Sequence, residues 1–194
     1  MPSDALLIVD VQNDFCPGGA LAVPSGDAVV PVLNDYIARA QAAGIPIFAS
    51  RDWHPASTRH FVTQGGRWPV HCVRETPGAA FHPDLRLPAG TPIVTKGTST
   101  DDDGYSMFEG TLPGGEPLLD ALRARGITRL HAGGLATDYC VRATVLDALR
   151  NGFAVGLLAD AIRAVNVAPG DDQRAIAEMT AACARPETLA TWPG

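Results

Sequence analysis

The chain of 194 residues has no paired-cysteine motif, no block of one charge sign, no low-complexity tract and no membrane-length apolar run. Each absence removes a class of protein. The four cysteines, Cys16, Cys72, Cys140 and Cys183, are widely spaced and form no CxxC pair, so neither a disulfide framework nor a four-cysteine zinc site is expected. The N-terminal residues lack the charged-then-apolar order of a secretory signal, and no membrane association is expected. A reduced, cytoplasmic protein is the economical expectation. Basic residues number 15 against 21 acidic ones, a net charge of −6 with no basic stripe, which argues against a nucleic acid partner. Gly18-Gly19 and Gly114-Gly115 stand outside any GxxxxGK[ST] context and read as turns. No repeat or linker divides the chain, and one domain over residues 1–194 is expected.

What is present is an alternation of short apolar runs and longer helical ones. Ala5 to Val9 is continuously apolar, as a strand covered on both faces would be. Ala28 to Ala43 reads as a helix stopped by Gly44. Strands follow at Ile45–Ser50, Pro92–Thr95, Ile127–His131 and Phe153–Leu158, with helices at Leu118–Arg125, Val141–Asn151 and Asp171–Ala184. The expected fold class is α/β: one domain with a mostly parallel β-sheet flanked by helices on both faces. The segment Arg51–Pro92, rich in Pro, Gly, His and Trp, is long for a loop in a compact domain, and such loops usually carry function.

In such sheets ligands bind beyond the carboxyl ends of the strands. Those ends deliver Asp10, the Arg51-Asp52-Trp53-His54 stretch, Lys96 and the turn leading to Cys140. A thiol where a strand turns into a helix meets free N–H groups and the positive helix end, which favour thiolate and can hold an oxyanion. Burial for packing is the plainer fate of a cysteine there. Asp10 has the chemistry to accept a thiol proton and return it to a leaving amine, with Lys96 offsetting the charge. A salt bridge at the sheet edge accounts for the same Asp10–Lys96 pair. Asp52, His54, His60 and His71 together supply one carboxylate and three imidazoles, donors suited to zinc, iron(II) or manganese(II). Solvated loop histidines are the alternative, weakened because three of the chain's five fall between residues 54 and 71.

His82 reads as loop structure and His131 as a satisfied core or edge histidine. Cys16, Cys72 and Cys183 read as packing, with Cys72 a spare donor beside His71. Phe15 and Trp68 are candidates for a slot that takes a flat heteroaromatic ring, with core filling the alternative for Phe15. Asp101-Asp102-Asp103 reads as a solvated acidic loop.

Several segments together resemble the nicotinamidase/pyrazinamidase family of isochorismatase-like cysteine hydrolases. They are Ile8-Val9-Asp10-Val11-Gln12-Asn13-Asp14-Phe15-Cys16-Pro17-Gly18-Gly19, Arg51-Asp52-Trp53-His54-Pro55, Trp68-Pro69-Val70-His71-Cys72-Val73, Thr76-Pro77-Gly78-Ala79, Lys96-Gly97, Tyr105-Ser106-x-Phe108-Glu109-Gly110 and Ala136-Thr137-Asp138-Tyr139-Cys140-Val141. The resemblance runs from about Leu6 to Met179. It implies an isochorismatase-like fold and a metal-dependent cysteine amidohydrolase that converts nicotinamide, and with it pyrazinamide, to the acid and ammonia through a thioester. It implies a catalytic triad of Asp10, Lys96 and Cys140, and an oxyanion hole from the N–H groups of Ala136 and Cys140 with a cis Leu135–Ala136 peptide. It further implies one divalent ion, zinc first, held by Asp52, His54 and His71 with His60 as a further ligand in part of the family. Phe15 and Trp68 would sandwich the pyridine ring. Such chains occur as monomers and as homo-oligomers. Another small-amide hydrolase of carbamoyl or maleamate type, or a non-catalytic metal-binding relative, is the alternative. Departures from the family pattern lie at Arg74-Glu75, at Asp101-Asp102-Asp103 and at Met107, which flank the pocket.

Overall fold

A computed structural model describes residues 3–192. Six strands form one sheet: β1 (Asp4–Val9), β2 (Ile47–Asp52), β3 (Ile93–Lys96), β4 (Arg129–Leu135), β5 (Ala154–Arg163) and β6 (Arg185–Glu187). Every pairing is parallel, in the spatial order β3-β2-β1-β4-β5-β6. The chain therefore winds outward from β1 in one direction and outward from β4 in the other, and the switch between them opens a crevice at the strands' carboxyl ends.

Alternate side chains of β1 explain the double cover. Ala5, Leu7 and Val9 face the helices α2 (Leu118–Ala124), α3 (Arg142–Arg150) and α4 (Asp171–Ala181), while Leu6 and Ile8 face α1 (Val29–Ala43). All five are fully buried, so the strand reads as an unbroken apolar run. Helix α1 buries Val29, Val30, Leu33, Tyr36, Ile37 and Ala40, spacings of three and four, and Gly44 ends it in the left-handed region at φ 68°. The α/β sheet with helices on both faces follows the sequence reading.

Several boundaries differ from that reading, most of them by one to three residues. β4 continues through Gly133 and Gly134 to Leu135, where the sequence suggested an end at His131. A Cβ on Gly134, at φ 125°, would lie 2.1 Å from the Val9 carbonyl oxygen, so glycine there lets β1 and β4 approach. The register against β5 also shifts between Ala132 and Gly134, a bulge that re-aims the chain toward Cys140. β5 runs on to Arg163, and β6, a three-residue edge strand containing Pro186, carries too little pattern to be read from sequence.

His131 is buried in β4, with Nδ1 2.7 Å from Glu187 on β6 and Nε2 3.3 Å from Asp4 on β1, so it is the satisfied histidine expected. His82 serves its loop, accepting the Asp84 N–H at 3.2 Å. Cys183 is a correction. Packing is the expectation for it, but it is exposed, in the left-handed turn (φ 82°) that follows α4 before Ala184 returns to the core.

Gly134→Ala is expected to lower stability by about 2–4 kcal/mol, since the methyl group must displace β1 backbone. Gly44→Ala, strained but in open space, should cost only about 1 kcal/mol. Urea midpoints of the two variants measure the contrast, and equal losses would refute the close-approach account.

Candidate functional site

The sheet's carboxyl edge assembles the site from strand ends. Asp52 and Lys96 are register partners across β2 and β3, so parallel pairing alone sets them side by side. Asp10 follows β1 directly and turns the chain at φ 45°, in the left-handed region that tolerates aspartate better than most residues. Cys140 follows β4 within the wide turn Thr137–Val141, which opens into α3.

Lys96 is the hub. Its Nζ lies 2.7 Å from Asp10 Oδ2, contacts Asp52 Oδ1, donates to Gly104 O at 2.6 Å and sits 3.6 Å from Cys140 Sγ. The side chains of Lys96 and Asp10 are wholly buried. Ser50 Oγ donates to Asp10 Oδ1 at 2.7 Å. Oδ2 is held by the Lys96 ion pair, and the Asp10 carboxylate lies within 4.8 Å of Cys140 Sγ, close enough to take the thiol proton.

The electrostatics correct one expectation from sequence. Burial pushes the Cys140 thiol well above its ordinary value; Lys96 opposes this, and Asp10 and Asp52 reinforce it. These surroundings favour the thiol form of Cys140, where its place before a helix favours thiolate. Burial likewise raises Asp10 to about 6, against the pull of Lys96. Burial also works against ionised Asp52, but Lys96 and His54 outweigh it and hold that carboxyl well below the usual range. Lys96 stays charged, because its anionic neighbours overcome the cost of burial.

Beside this trio lies a group of imidazoles. One nitrogen from each of His54, His60 and His71 falls within 4.8 Å of the others. Each ring uses Nδ1 for an acceptor: Gly97 O for His54 at 3.0 Å, Asp103 Oδ1 for His60 at 3.0 Å and Pro69 O for His71 at 2.8 Å. This leaves the Nε2 lone pairs unused, and His54 Nε2 is buried with no partner, 3.6 Å from Asp52 Oδ2. Burial lowers His60 and holds His71 at about 4, so both rings are neutral at neutral pH. Neutral imidazoles oriented through Nδ1, an orphaned buried nitrogen and an ionised carboxylate are the donor set a divalent cation needs. Metal–ligand bonds of about 2.0–2.1 Å place tetrahedral donors roughly 3.3 Å apart, close to the His54–Asp52 separation. The residues present fit such an ion.

A cavity of about 310 Å³, including its open mouth, lies between the two groups. Phe15, Trp68, His60, His71, Asp52, Ala136 and Cys140 line it, so every residue read as ring-binding reaches the same space. The Leu135–Ala136 peptide is cis, as the resemblance implies. Sequence reasoning missed Tyr105, Tyr139, Leu21 and Val165 as lining residues. Tyr105 accepts the Trp68 indole N–H at 2.9 Å, and Tyr139 meets the Trp68 ring edge-on at 4.8 Å. Cys72 lies in the core cluster and is not one of the grouped donors. Asp103 is also a correction, for the acidic run is not merely solvated: this carboxylate touches His60.

Lys96→Met, assayed without metal, is expected to lose about 3–5 kcal/mol, because it strands two buried carboxylates without their cation. Urea unfolding checks this; a loss below about 1 kcal/mol would show that the carboxylates do not depend on Lys96.

The Isochorismatase domain family matches residues 4–191. The Escherichia coli K12 nicotinamidase is 44% identical over 208 residues, covering 99% of this chain and 98% of that protein. A Pyrococcus horikoshii pyrazinamidase solved in complex with zinc is 45% identical with a TM-score of 0.89, over 97% of this chain and 100% of that one. An L. infantum protein solved with nicotinate is 34% identical with a TM-score of 0.86, over 98% and 96%. By the matched family, the full-length likeness and the shared sheet, the chain belongs to the nicotinamidase/pyrazinamidase branch of the isochorismatase-domain family.

Proposed function

We propose that this protein hydrolyses nicotinamide to nicotinate and ammonia, with Cys140 as nucleophile. The observation that carries the reading is a buried thiol, Cys140, that lines one cavity with Asp52, His60 and His71 and has the buried Asp10–Lys96 pair behind it. Asp52, His54, His60 and His71 would hold one divalent ion, zinc first among candidates, and the bound ion would supply a Lewis-acid anchor for a ring nitrogen donor. Phe15 and Trp68 give the ring its flat slot, and exclusion of water strengthens every charge inside it.

The chemistry then belongs to the chain's own residues. Asp10 takes the Cys140 proton as sulfur attacks the carboxamide carbon, so the nucleophile is made at the moment of use. Lys96 keeps Asp10 ionised and in place and balances the charge passing between them. The N–H groups of Ala136 and Cys140 are assigned to the oxyanion, a donor of that kind being worth about 3–4 kcal/mol of barrier. Asp10 returns the proton to the departing amine and ammonia leaves a thioester on Cys140. Water, deprotonated by Asp10, adds to the thioester, and its collapse releases the acid and restores the thiol. Four free cysteines with no disulfide among the described residues suit a reducing compartment, which supports the cytoplasm as the place of reaction.

Ammonia release from nicotinamide by the purified protein tests the reading. We expect turnover that a chelator abolishes and added zinc restores. Cys140→Ala should be inactive with its metal content intact, and Asp52→Ala should lose both. No release from a reduced, zinc-loaded sample would overturn the substrate, and loss of metal in Cys140→Ala would overturn the division of roles.

A further inference from the structure

The three imidazoles are not held alike. His54 and His71 rest on backbone carbonyls, of Gly97 and Pro69, whereas His60 rests on the side chain of Asp103. His60 is buried, but the Asp103 side chain is 68% exposed. The two belong to loops fastened together beside the pocket. Thr58 Oγ1 and the Arg59 N–H both donate to Thr100 O at 3.0 Å, and Arg59 pairs with Asp101 at 2.8 Å on the surface. Asp102 accepts the Gly104 N–H at 2.8 Å, closing the turn whose carbonyl takes the Lys96 ammonium. Gly104 packs so tightly that a Cβ there would lie 2.4 Å from Gly97 N, on the residue whose carbonyl holds His54.

We infer that Asp103 is a positioning residue for the metal centre: it fixes His60 as the one ligand whose orientation depends on a movable side chain. The inference rests on Asp52, His54, His60 and His71 forming that centre. A carboxylate on Nδ1 selects the tautomer with its lone pair on Nε2, orients the ring and makes it a stronger donor. The acidic run that departs from the family pattern thereby acquires three tasks: Asp101 staples the loop to Arg59, Asp102 shapes its turn and Asp103 aims His60. Because the same turn supplies an acceptor to Lys96, one loop touches both the metal centre and the catalytic trio.

Zinc affinity, measured by competition with a chromogenic chelator, tests this without substrate. Asp103→Ala should bind zinc about 10–100-fold more weakly. Asp103→Asn, whose amide oxygen still accepts from Nδ1–H, should recover most of that loss. His60→Ala should weaken zinc at least as much, and adding Asp103→Ala to it should change nothing further. Asp101→Ala, which cuts only the surface pair, should stay within about twofold of the parent. Parent-like zinc binding by Asp103→Ala would overturn the inference. So would a loss that persists in the His60→Ala background, because that loss would not pass through His60. A parent protein that binds zinc but releases no ammonia refutes the proposed substrate alone; one that binds no zinc refutes the metal centre and this inference with it.

Discussion

The site depends on one buried cation. Lys96 ends a four-residue strand, has no solvent around its side chain and meets two carboxylates, a backbone carbonyl and a thiol sulfur. An ammonium stripped of water is costly unless anionic and hydrogen-bonding partners replace the hydration shell. Asp10, Asp52 and Gly104 are those partners. Three separate segments are therefore drawn to a single point by the need to solvate one charge. The β2–β3 register brings Asp52 opposite Lys96, the left-handed turn at Asp10 brings in the second carboxylate, and the tight Gly97–Gly104 approach brings in the carbonyl.

Two carboxylates around one ammonium leave a negative charge in surplus, and much of the site's chemistry follows from it. Burial, with the surplus adding to it, keeps the proton on Cys140 and lifts Asp10 to about 6, while Asp52, in contact with both Lys96 and His54, stays ionised. One aspartate is thus suited to carrying a proton and the other to binding a cation. A divalent ion beside Asp52 would turn the local surplus from negative to positive. The grouped imidazoles and the Asp10–Lys96–Cys140 trio therefore share one charge balance, with Asp52 as the joint: one oxygen contacts Lys96, the other faces His54.

Much of this was legible in the sequence, for a physical reason. In a parallel sheet the residue just past each apolar run must emerge at the same edge, so Asp10, Asp52, Lys96 and the turn to Cys140 converge whatever the loops do. The histidines between residues 54 and 71 followed from donor chemistry. What escaped depended on three-dimensional fields and not on pattern. Helix-end N–H groups favour thiolate at Cys140, but neither its burial nor the two carboxylates that other strands bring is visible in that pattern. Asp103 looked like any exposed acid, since its contact with His60 spans 43 positions in the chain. The extension of β4 through Gly133 and Gly134 was hidden because glycine is a poor strand former, and its use there is to let backbones touch.

That last point also bears on where Cys140 sits. A side chain on Gly134 would push β4 from β1, and Cys140 hangs from the end of β4 while Asp10 hangs from the end of β1. The thiol-to-carboxylate distance is thereby set by the closeness of two backbones and not by long, flexible side chains. Proton transfer between fixed partners loses little to reorganisation, which is the advantage of building a site on strand ends. On the other side of the cavity His60 rests on an exposed carboxylate of a surface loop, so a contact open to solvent stands opposite the wholly buried Asp10–Lys96 pair.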